Sequence, residues 1–234
     1  MGEKMILFSN GIRAEVVIFD FDGVIVNTEP LHYKSFQLLL EPLSLGFCWQ
    51  DYVDTYMGFD DRDAFLAAFA AGGRKLDSDL LRSLISQKAL LFQEVISDGL
   101  SAYPGVVDLI RRLNAARIPL AISSGALSSD IAPILNILGL QSCFDVIVTA
   151  EDVARSKPDP ESYQLAFDKL CQFHGLSGSN SIAVAIEDTP AGIISAKSAG
   201  LQVIAVSNSY PSEKLSDASF VTDTLESLLD FASV

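Results

Sequence analysis

The sequence is poor in the residues that build zinc sites and disulfide frameworks. Its 234 residues include only three cysteines and two histidines. The cysteines, Cys48, Cys143 and Cys171, lie far apart, and none belongs to a Cys-x-x-Cys pair. This usage is typical of buried apolar thiols in a reducing compartment, so we expect neither a disulfide framework nor a zinc centre.

Basic residues are also scarce. Lysine and arginine number 16 against 30 aspartates and glutamates, which gives a formal net charge of −14. Nucleic acids and anionic membranes bind basic surfaces, so the composition argues against both as partners. If the ligand is itself an anion, a cation close to it must offset the charge of the protein.

Long hydrophobic runs are missing as well. The first residues, MGEKMILFSNG, contain an apolar run too short for a signal peptide or a membrane span. We therefore expect a soluble, cytoplasmic protein. The composition is otherwise that of an ordinary globular chain, with 49% hydrophobic and 20% charged residues.

Short apolar runs alternate with longer segments of helical spacing. The runs are rich in β-branched residues and lie at Val16–Phe19, Pro119–Ser123, Val146–Val148, Ile182–Ile186 and Val203–Val206. Continuous apolar runs indicate strands that are buried on both faces of a parallel sheet. Together with the helical segments they predict an α/β fold with a doubly wound, mainly parallel, Rossmann-like sheet.

The alternation is interrupted between Thr28 and Leu100. No strand pattern occurs in this stretch, which is far longer than an ordinary strand-to-helix connection. It contains instead three segments of helical spacing, EPLHYKSFQLLL, DRDAFLAAFAAG and DLLRSLISQKALLFQEVI. We therefore expect an all-helical cap domain, residues 28–100, inserted into a core domain of residues 1–27 and 101–234.

Polar residues follow four of the predicted strands. The carboxyl ends of parallel strands share one edge of the sheet, and ligands bind at that edge. We expect four groups to meet there: Asp20 and Asp22 after the first strand, Ser123-Ser124-Gly125 after the second, Lys157 in KPDP after the third, and Glu187-Asp188 after the fourth.

Carboxylates gathered at one edge repel one another unless a cation lies among them. Oxygen ligands without a nearby histidine or cysteine favour Mg²⁺, which also binds water and substrate phosphate. Lys157 would neutralise part of the charge of that phosphate, and Ser123 would donate a hydrogen bond to it, together with backbone N–H groups of the next helix. Because side chains alternate along a strand, Asp20 and Asp22 can share one side, as nucleophile and general acid–base.

In this order and spacing, DFDGV, SSG, KPDP and ED resemble the four motifs of the haloacid dehalogenase superfamily. The helical insertion resembles the cap of the subfamily that contains β-phosphoglucomutase and sugar-phosphate phosphatases. The resemblance runs from about Val16 to Val206. Since dehalogenases and phosphonatases of the family lack an acid at the position of Asp22, the resemblance implies phosphoryl transfer from an oxygen ester.

The resemblance also implies a role for each motif residue. Asp20 would be the nucleophile that forms an aspartyl-phosphate, and it would also bind Mg²⁺. Asp22 would protonate the leaving group, then activate water, and would bind the metal through its backbone carbonyl. Ser123 and Lys157 would hold the phosphoryl oxygens.

The metal site that the resemblance implies is completed by Asp188, with Glu187 as a further ligand or an outer neighbour. The same two acids precede Thr189-Pro190, which has the pattern of an N-cap followed by proline at the first helical position. Acids are favoured at a helix start by the helix dipole alone. Both roles can hold together.

Five further residues are candidate substrate contacts. Gly23 would let the backbone bend closely around the ligand, whereas Ser124 and Gly125 suit either a substrate contact or the turn itself. His32 either reaches the mouth of the site or packs between cap and core. Arg62 either grips a second anionic group of the substrate or pairs with one of the aspartates at positions 60, 61 and 63.

These inferences favour a Mg²⁺-dependent phosphatase that hydrolyses a small phosphorylated metabolite, such as a sugar phosphate, and that is a monomer or a weak homodimer. Two alternatives stay open at this point. A phosphosugar mutase similar to β-phosphoglucomutase would accumulate an isomerised sugar phosphate in place of free phosphate. A non-catalytic protein would bind Mg²⁺ and a phosphorylated metabolite without turnover.

Overall fold

The computed structural model describes residues 5–57, 59, 61–176 and 182–234. Its strands are Ile6–Phe8 (β1), Arg13–Ala14 (β2), Val16–Phe19 (β3), Leu120–Ser123 (β4), Val146–Val148 (β5), Ala183–Glu187 (β6), Gln202–Val206 (β7), Phe220–Thr222 (β8) and Phe231–Ser233 (β9). Its α-helices are Glu29–Leu40 (α1), Trp49–Asp51 (α2), Asp61–Ala71 (α3), Ser78–Gly99 (α4), Val106–Ala115 (α5), Ser128–Leu138 (α6), Glu161–His174 (α7) and Pro190–Ser198 (α8).

The chain packs as two compact units. Met1–Asn27 and Ser101–Val234 together form the α/β unit, and Thr28–Leu100 form the helical unit. All strands described belong to the α/β unit. None of the helices in the described ranges combines the length and the apolar character needed to cross a membrane.

A six-stranded parallel sheet forms the centre of the α/β unit. Its strand order is β5-β4-β3-β6-β7-β8, and every neighbouring pair is parallel. All side chains of β3, β4 and β6 are buried, so both faces of the sheet are covered, as continuous apolar runs require. The predicted fold class is confirmed, and the order reverses between β3 and β6, where ligands bind in such sheets.

A second sheet joins the two ends of the described chain. β1 pairs antiparallel with β2 on one side and with β9 on the other, so that Ile6 lies opposite Ser233. The sequence patterns predict neither this sheet nor β8. Strands of two or three residues carry too little periodicity to be recognised, and the pairing of β1 with β9 joins opposite ends of the chain.

The expectation that all three cysteines are buried is wrong for Cys48. All three are unpaired thiols, with Cys143 buried, Cys171 partly exposed and Cys48 exposed. Cys48 is the N-cap of α2, where its sulfur accepts a hydrogen bond from the backbone N–H of Asp51 at 3.4 Å. A short polar side chain stabilises a helix start in this way, and this local contact keeps the thiol at the surface.

The helical unit has a buried cation inside an apolar core. Lys88 lies on the buried face of α4 and is only 3% exposed, although the helical pattern alone predicts an apolar residue there. Its Nζ donates to Asp61 Oδ1 at 2.5 Å and to His32 Nδ1 at 2.8 Å. The rings of Phe36 and Phe92 lie 4.9 and 5.3 Å from the ammonium, close enough for cation–π attraction.

This cluster requires a neutral His32. Burial, followed by the neighbouring charge of Lys88, lowers the pKa of His32 well below its ordinary value of 6.5. A protonated imidazole could not accept the hydrogen bond and would stand next to a second cation, with Asp61 as the anion of the cluster. Because the unfolded chain binds a proton near the ordinary pKa, stability is complete above about pH 6.5 and falls as the pH drops below it.

We expect His32→Asn to reduce the acid sensitivity of the protein. Between about pH 7.5 and about pH 5.5, the wild type should lose about 1 kcal/mol more free energy of unfolding than the variant, since the lower pH lies about one unit below the ordinary histidine pKa. Urea unfolding across this range measures the difference. His174→Asn, which changes the other histidine, should keep this excess acid loss, and equal losses in wild type and His32→Asn would contradict the prediction.

Candidate active site

Residues from three central strands meet around one lysine. Lys157 Nζ donates to Asp20 Oδ1 at 2.5 Å, to Glu187 Oε1 at 2.7 Å and to the backbone carbonyl of Ser123 at 3.0 Å. Asp20 directly follows β3, Ser123 ends β4 and Glu187 ends β6. The structure therefore brings together, at the carboxyl edge of the sheet, one residue from each of the four predicted groups.

Parallel pairing fixes the positions of these residues. The backbone N–H of Asp20 donates to the carbonyl of Ile186 at 2.9 Å, which continues the ladder between β3 and β6 past the end of β3. The loop that carries Lys157 is attached to α8, because Ser195 Oγ donates to the carbonyl of Asp159 at 2.6 Å. The loop is thus anchored at Asp159, two residues after Lys157, whose side chain extends to the sheet edge.

Glu187 is fully buried, and its carboxylate accepts five hydrogen bonds. Oε1 accepts from Lys157 and from the Tyr163 hydroxyl at 2.9 Å. Oε2 accepts from the backbone N–H groups of Asp188 and Thr189 and from Thr189 Oγ1, at 2.9 to 3.1 Å. Burial alone would raise the pKa of Glu187, but Lys157 and the other donors hold it below its ordinary value. Since a carboxylate has about four acceptor sites, Glu187 is saturated by protein donors.

Asp188 is buried like Glu187 but lacks its partners. Neither of its carboxylate oxygens has a hydrogen-bond partner of normal geometry among the described residues. Burial and the charges of Glu187 and Asp22 raise the pKa of Asp188 to about 7, although the Ser209 hydroxyl and the charge of Lys157 act in the opposite direction. Burial also raises the pKa of Asp20 well above its ordinary value, although the charge of Lys157 acts in the opposite direction. Buried acids without partners are costly, and a cation would offset that cost.

Asp20, Glu187 and Asp188 form a candidate metal site. Each offers one carboxylate oxygen, and the three oxygens lie within 4.8 Å of one another. A donor set made only of oxygens suits a hard divalent cation such as Mg²⁺. Because the acceptor sites of Glu187 are already used, the unpartnered oxygens of Asp188 make it the better of the two neighbours as a ligand.

Asp22 and Gly23 begin a tight turn after β3. Gly23 has a φ of +81°, and its N–H donates to the carbonyl of Val26 at 2.9 Å. A Cβ added at Gly23 would collide with the carboxylate of Asp188 and would lie 2.8 Å from the Ser209 hydroxyl. Glycine is thus required here by the close approach of the acid cluster, while Asp22 itself is partly exposed.

The three residues of SSG differ in what they can offer a ligand. Ser123 Oγ is buried and has no hydrogen-bond partner within the described ranges, so its hydroxyl can donate to a ligand. Ser124 Oγ accepts from the backbone N–H of Ala126 at 2.9 Å, which shapes the turn. Gly125 is exposed, and a Cβ there would have no neighbour within 4 Å.

His32 and Arg62 belong to the helical unit. His32 is held by its contact with Lys88 within the helical unit. Arg62 is exposed in the first turn of α3. Of the aspartates considered as its partners, Asp61 pairs with Lys88, and Asp60 lies outside the described residues. As substrate contacts, both residues stay predictions.

Sequence reasoning misses three residues of the site: Tyr163, Asn208 and Ser209. Tyr163 shares the buried face of α7 with apolar residues, and a buried phenol needs a hydrogen-bond partner, so the signal was present. Asn208 follows β7, and its Nδ2 donates to the carbonyl of Gly23 at 2.6 Å. Polar residues that follow parallel strands are expected at the ligand-binding edge of the sheet. Applied to β7, this expectation also includes Asn208 and Ser209.

Gly192, in the first turn of α8, makes room for Glu187. A Cβ at this position would collide with both carboxylate oxygens of Glu187. Alanine exceeds glycine in helix propensity by about 1 kcal/mol, but displacing a buried, hydrogen-bonded carboxylate costs more. We expect Gly192→Ala to lower the free energy of unfolding by about 2 kcal/mol, measured by urea unfolding.

The neighbouring residue provides the control for this prediction. Ala191 is exposed, so Ala191→Ser adds an atom to the same helical turn without touching Glu187. It should change the free energy of unfolding by less than about 0.5 kcal/mol. A Gly192→Ala variant as stable as the wild type would show that the carboxylate is not held as described.

Known proteins resemble this chain in sequence and in fold. The family model of haloacid dehalogenase-like hydrolases matches residues 17–206. The phosphorylated carbohydrates phosphatase of Thermotoga maritima is 29% identical over 81% of this chain and 83% of its own length. Validoxylamine A 7′-phosphate phosphatase of Streptomyces hygroscopicus is 30% identical over 87% and 91%. The crystal structure of CbbY from Rhodobacter sphaeroides in complex with phosphate has a TM-score of 0.77, at 24% identity over 91% and 95% of the two chains. This chain belongs to the family of haloacid dehalogenase-like hydrolases.

Proposed function

We propose that this hydrolase is a phosphatase that removes phosphate from a phosphorylated carbohydrate or a related small metabolite. The observation that carries the proposal is the contact of Lys157 with Asp20 and Glu187, beside the unpartnered carboxylate of Asp188. One cation among three buried acids combines a nucleophile, a ligand for phosphoryl oxygens and a place for a metal ion. The names of the two phosphatase relatives support the substrate class.

In the first half of the reaction, a carboxylate oxygen of Asp20 attacks phosphorus. The bond between phosphorus and the ester oxygen breaks, and an aspartyl-phosphate forms. Asp22 gives its proton to the departing oxygen, which leaves as the alcohol. Asp22 follows Asp20 by two residues and lies near enough to Asp188 to raise the pKa of Asp188, which supports its presence at the same edge.

In the second half, Asp22 takes a proton from water as the water oxygen attacks phosphorus. The acyl-phosphate bond breaks, Asp20 regains its carboxylate and inorganic phosphate leaves. Asp22 ends protonated again, now with a proton from water, while its first proton has left on the alcohol. One ester and one water thus give one alcohol and one phosphate. The general acid and base must contact both the leaving group and water. Asp22, which is partly exposed, suits this exchange better than the buried Asp188.

Lys157 and Ser123 would hold the phosphoryl oxygens in both halves. The ammonium of Lys157 is fixed beside Asp20, and burial, which would lower its pKa, is outweighed by Asp20 and Glu187, which raise it. The lysine therefore stays protonated and positively charged. The unpartnered hydroxyl of Ser123 supports its role as a hydrogen-bond donor to the same oxygens.

Mg²⁺ fits the donors of this site. The oxygen-only donor set and the two unpartnered oxygens of Asp188 support it. Asp20, Asp188 and the backbone carbonyl of Asp22 would hold the ion. Glu187 would lie beside these ligands without binding the ion itself. When bound, Mg²⁺ supplies positive charge that offsets the charge of the phosphoryl oxygens.

The helical unit is proposed as the cap, where His32 and Arg62 would contribute to substrate choice. The three unpaired cysteines support a reducing compartment, such as the cytoplasm, as the place of action. A monomer or weak homodimer remains our prediction for the oligomeric state.

We expect Asp20→Asn to reduce turnover of the best substrate by about 10³-fold or more, because an amide is not a nucleophile for phosphorus. A panel of sugar, nucleotide and acid phosphates, with released phosphate as the readout, identifies that substrate. Asp168→Asn, an exposed aspartate on α7, is the matched control and should keep wild-type turnover.

The products distinguish the remaining functions. Free phosphate supports the phosphatase, whereas glucose 6-phosphate formed from β-glucose 1-phosphate with a trace of the bisphosphate would identify a mutase. Binding of Mg²⁺ and a phosphate analogue without turnover of any ester would identify a binding protein. An Asp20→Asn variant with wild-type turnover would refute the aspartyl-phosphate.

We expect Mg²⁺ to raise the melting temperature of the wild type, because it offsets the repulsion between Asp20 and Asp188. Binding at one hundred times Kd is worth about 2.7 kcal/mol. Asp188→Asn should lose this increase, yet melt no lower than the wild type without metal, since asparagine carries no buried charge. Asp168→Asn should keep the increase, and a full Mg²⁺ effect in Asp188→Asn would contradict the metal site.

A further inference from the structure

Among the residues that the structure describes, four contact the Lys157 ammonium: Asp20, Ser123, Glu187 and Tyr163. The proposed reaction gives no role to Tyr163. It lies in α7, six residues after Lys157, and is completely buried together with Ala166 and Leu170 on the same face. A phenylalanine would fill this position with the same ring. Packing alone therefore does not explain the hydroxyl, since burying a hydroxyl without a partner is costly.

The hydroxyl of Tyr163 lies between the two charged groups of the cluster. It donates to Glu187 Oε1 at 2.9 Å and accepts from Lys157 Nζ at 3.3 Å. The ring lies 4.5 Å from the same Nζ, within cation–π distance. Burial and the charges of Glu187 and Asp20 raise the pKa of Tyr163 well above its ordinary value, so the phenol keeps the proton that it donates.

The ammonium of Lys157 has more acceptors around it than protons to give. It offers three N–H groups to four acceptors, Asp20 Oδ1, the Ser123 carbonyl, Glu187 Oε1 and the Tyr163 oxygen. When one N–H group points to Asp20, the other two are shared among the Ser123 carbonyl, Glu187 Oε1 and the Tyr163 oxygen. These two N–H groups can hold the ammonium in place when the third turns from Asp20 to a phosphoryl oxygen.

We propose that Tyr163 is a positioning residue, which fixes Glu187 and through it the ammonium of Lys157 for phosphoryl transfer. This rests on the proposed function of Lys157. The phenol occupies an acceptor site of Glu187 Oε1, while three donors hold Oε2, so the carboxylate cannot rotate or draw the lysine further inward. Without the hydroxyl, Lys157 becomes the single donor to Oε1, and its ammonium moves away from the phosphoryl group.

Tyr163→Phe tests this proposal. We expect kcat to fall about tenfold, equivalent to about 1.4 kcal/mol, and KM to change less than about twofold. Both are measured well below the melting temperature of the variant. A purely structural hydroxyl would lower the melting temperature and leave kcat per folded molecule unchanged. Tyr52→Phe is the matched control, because Tyr52 is also buried and donates to a carboxylate, Glu29, in the helical unit.

A second readout does not depend on turnover. The ¹H–¹⁵N signal of the Lys157 ammonium, assigned by its loss in Lys157→Met, should shift or broaden in Tyr163→Phe and stay unchanged in Tyr52→Phe. Because Tyr163 acts mainly through Glu187, with a weaker direct contact at 3.3 Å, Tyr163→Phe should shift this signal less in a Glu187→Gln background than in the wild type.

The outcomes separate the two proposals. A fall in kcat with an unchanged ammonium signal overturns the positioning role, and so does a moved signal with wild-type kcat. An effect that persists in full in Glu187→Gln also overturns it, since Tyr163 would then act directly. If the wild type hydrolyses no ester, the proposed function fails, and the ammonium signal alone decides whether Tyr163 positions the lysine.

Discussion

The buried contact between Lys157 and the acids at the carboxyl edge of the sheet is the interaction on which the site depends. The Lys157 ammonium contacts the carboxylates of Asp20 and Glu187, and an oxygen of Asp188 lies within 4.8 Å of an oxygen of each of these two acids. Burial raises the pKa of both Asp20 and Asp188, and the excess of negative charge around one cation adds to that effect. In the proposed function, a divalent cation would remove that excess, so that the site could accept the charge of a phosphate group.

The same contact is also part of the fold. Glu187 joins the end of β6 to the start of α8, because it accepts from the backbone of Asp188 and Thr189, while Thr189 Oγ1 accepts from the N–H of Gly192. Glycine at position 192 leaves the space that the carboxylate fills. The helix start, the strand end and the lysine are therefore held by one side chain, so the geometry of the site is as rigid as the sheet that carries it.

The surroundings of Lys88, which is buried, differ from those of Lys157, whose side chain is 15% exposed. Lys88 in the helical unit donates to one carboxylate, Asp61, and to a neutral His32, and its charge also acts on the carboxylate of Glu29. Lys157 faces two carboxylates directly, with a third beside them that has no partner. The acids around Lys157 outnumber it, so in the proposed function an ion or substrate would complete that site.

The sequence alone determined the α/β pattern, and it predicts the helical insertion and the meeting of Asp20, Lys157 and Asp188 at one edge of the sheet, because buried strands, helical spacing and polar residues at strand ends are local signals. The short sheet of β1, β2 and β9 could not be predicted, since its pairing joins residues from opposite ends of the chain. Only the tertiary structure decided that Glu187 is saturated by protein donors while Asp188 is not. Both are acids at the end of one strand, and their difference arises from neighbours such as Tyr163, whose position depends on how α7 packs against the sheet.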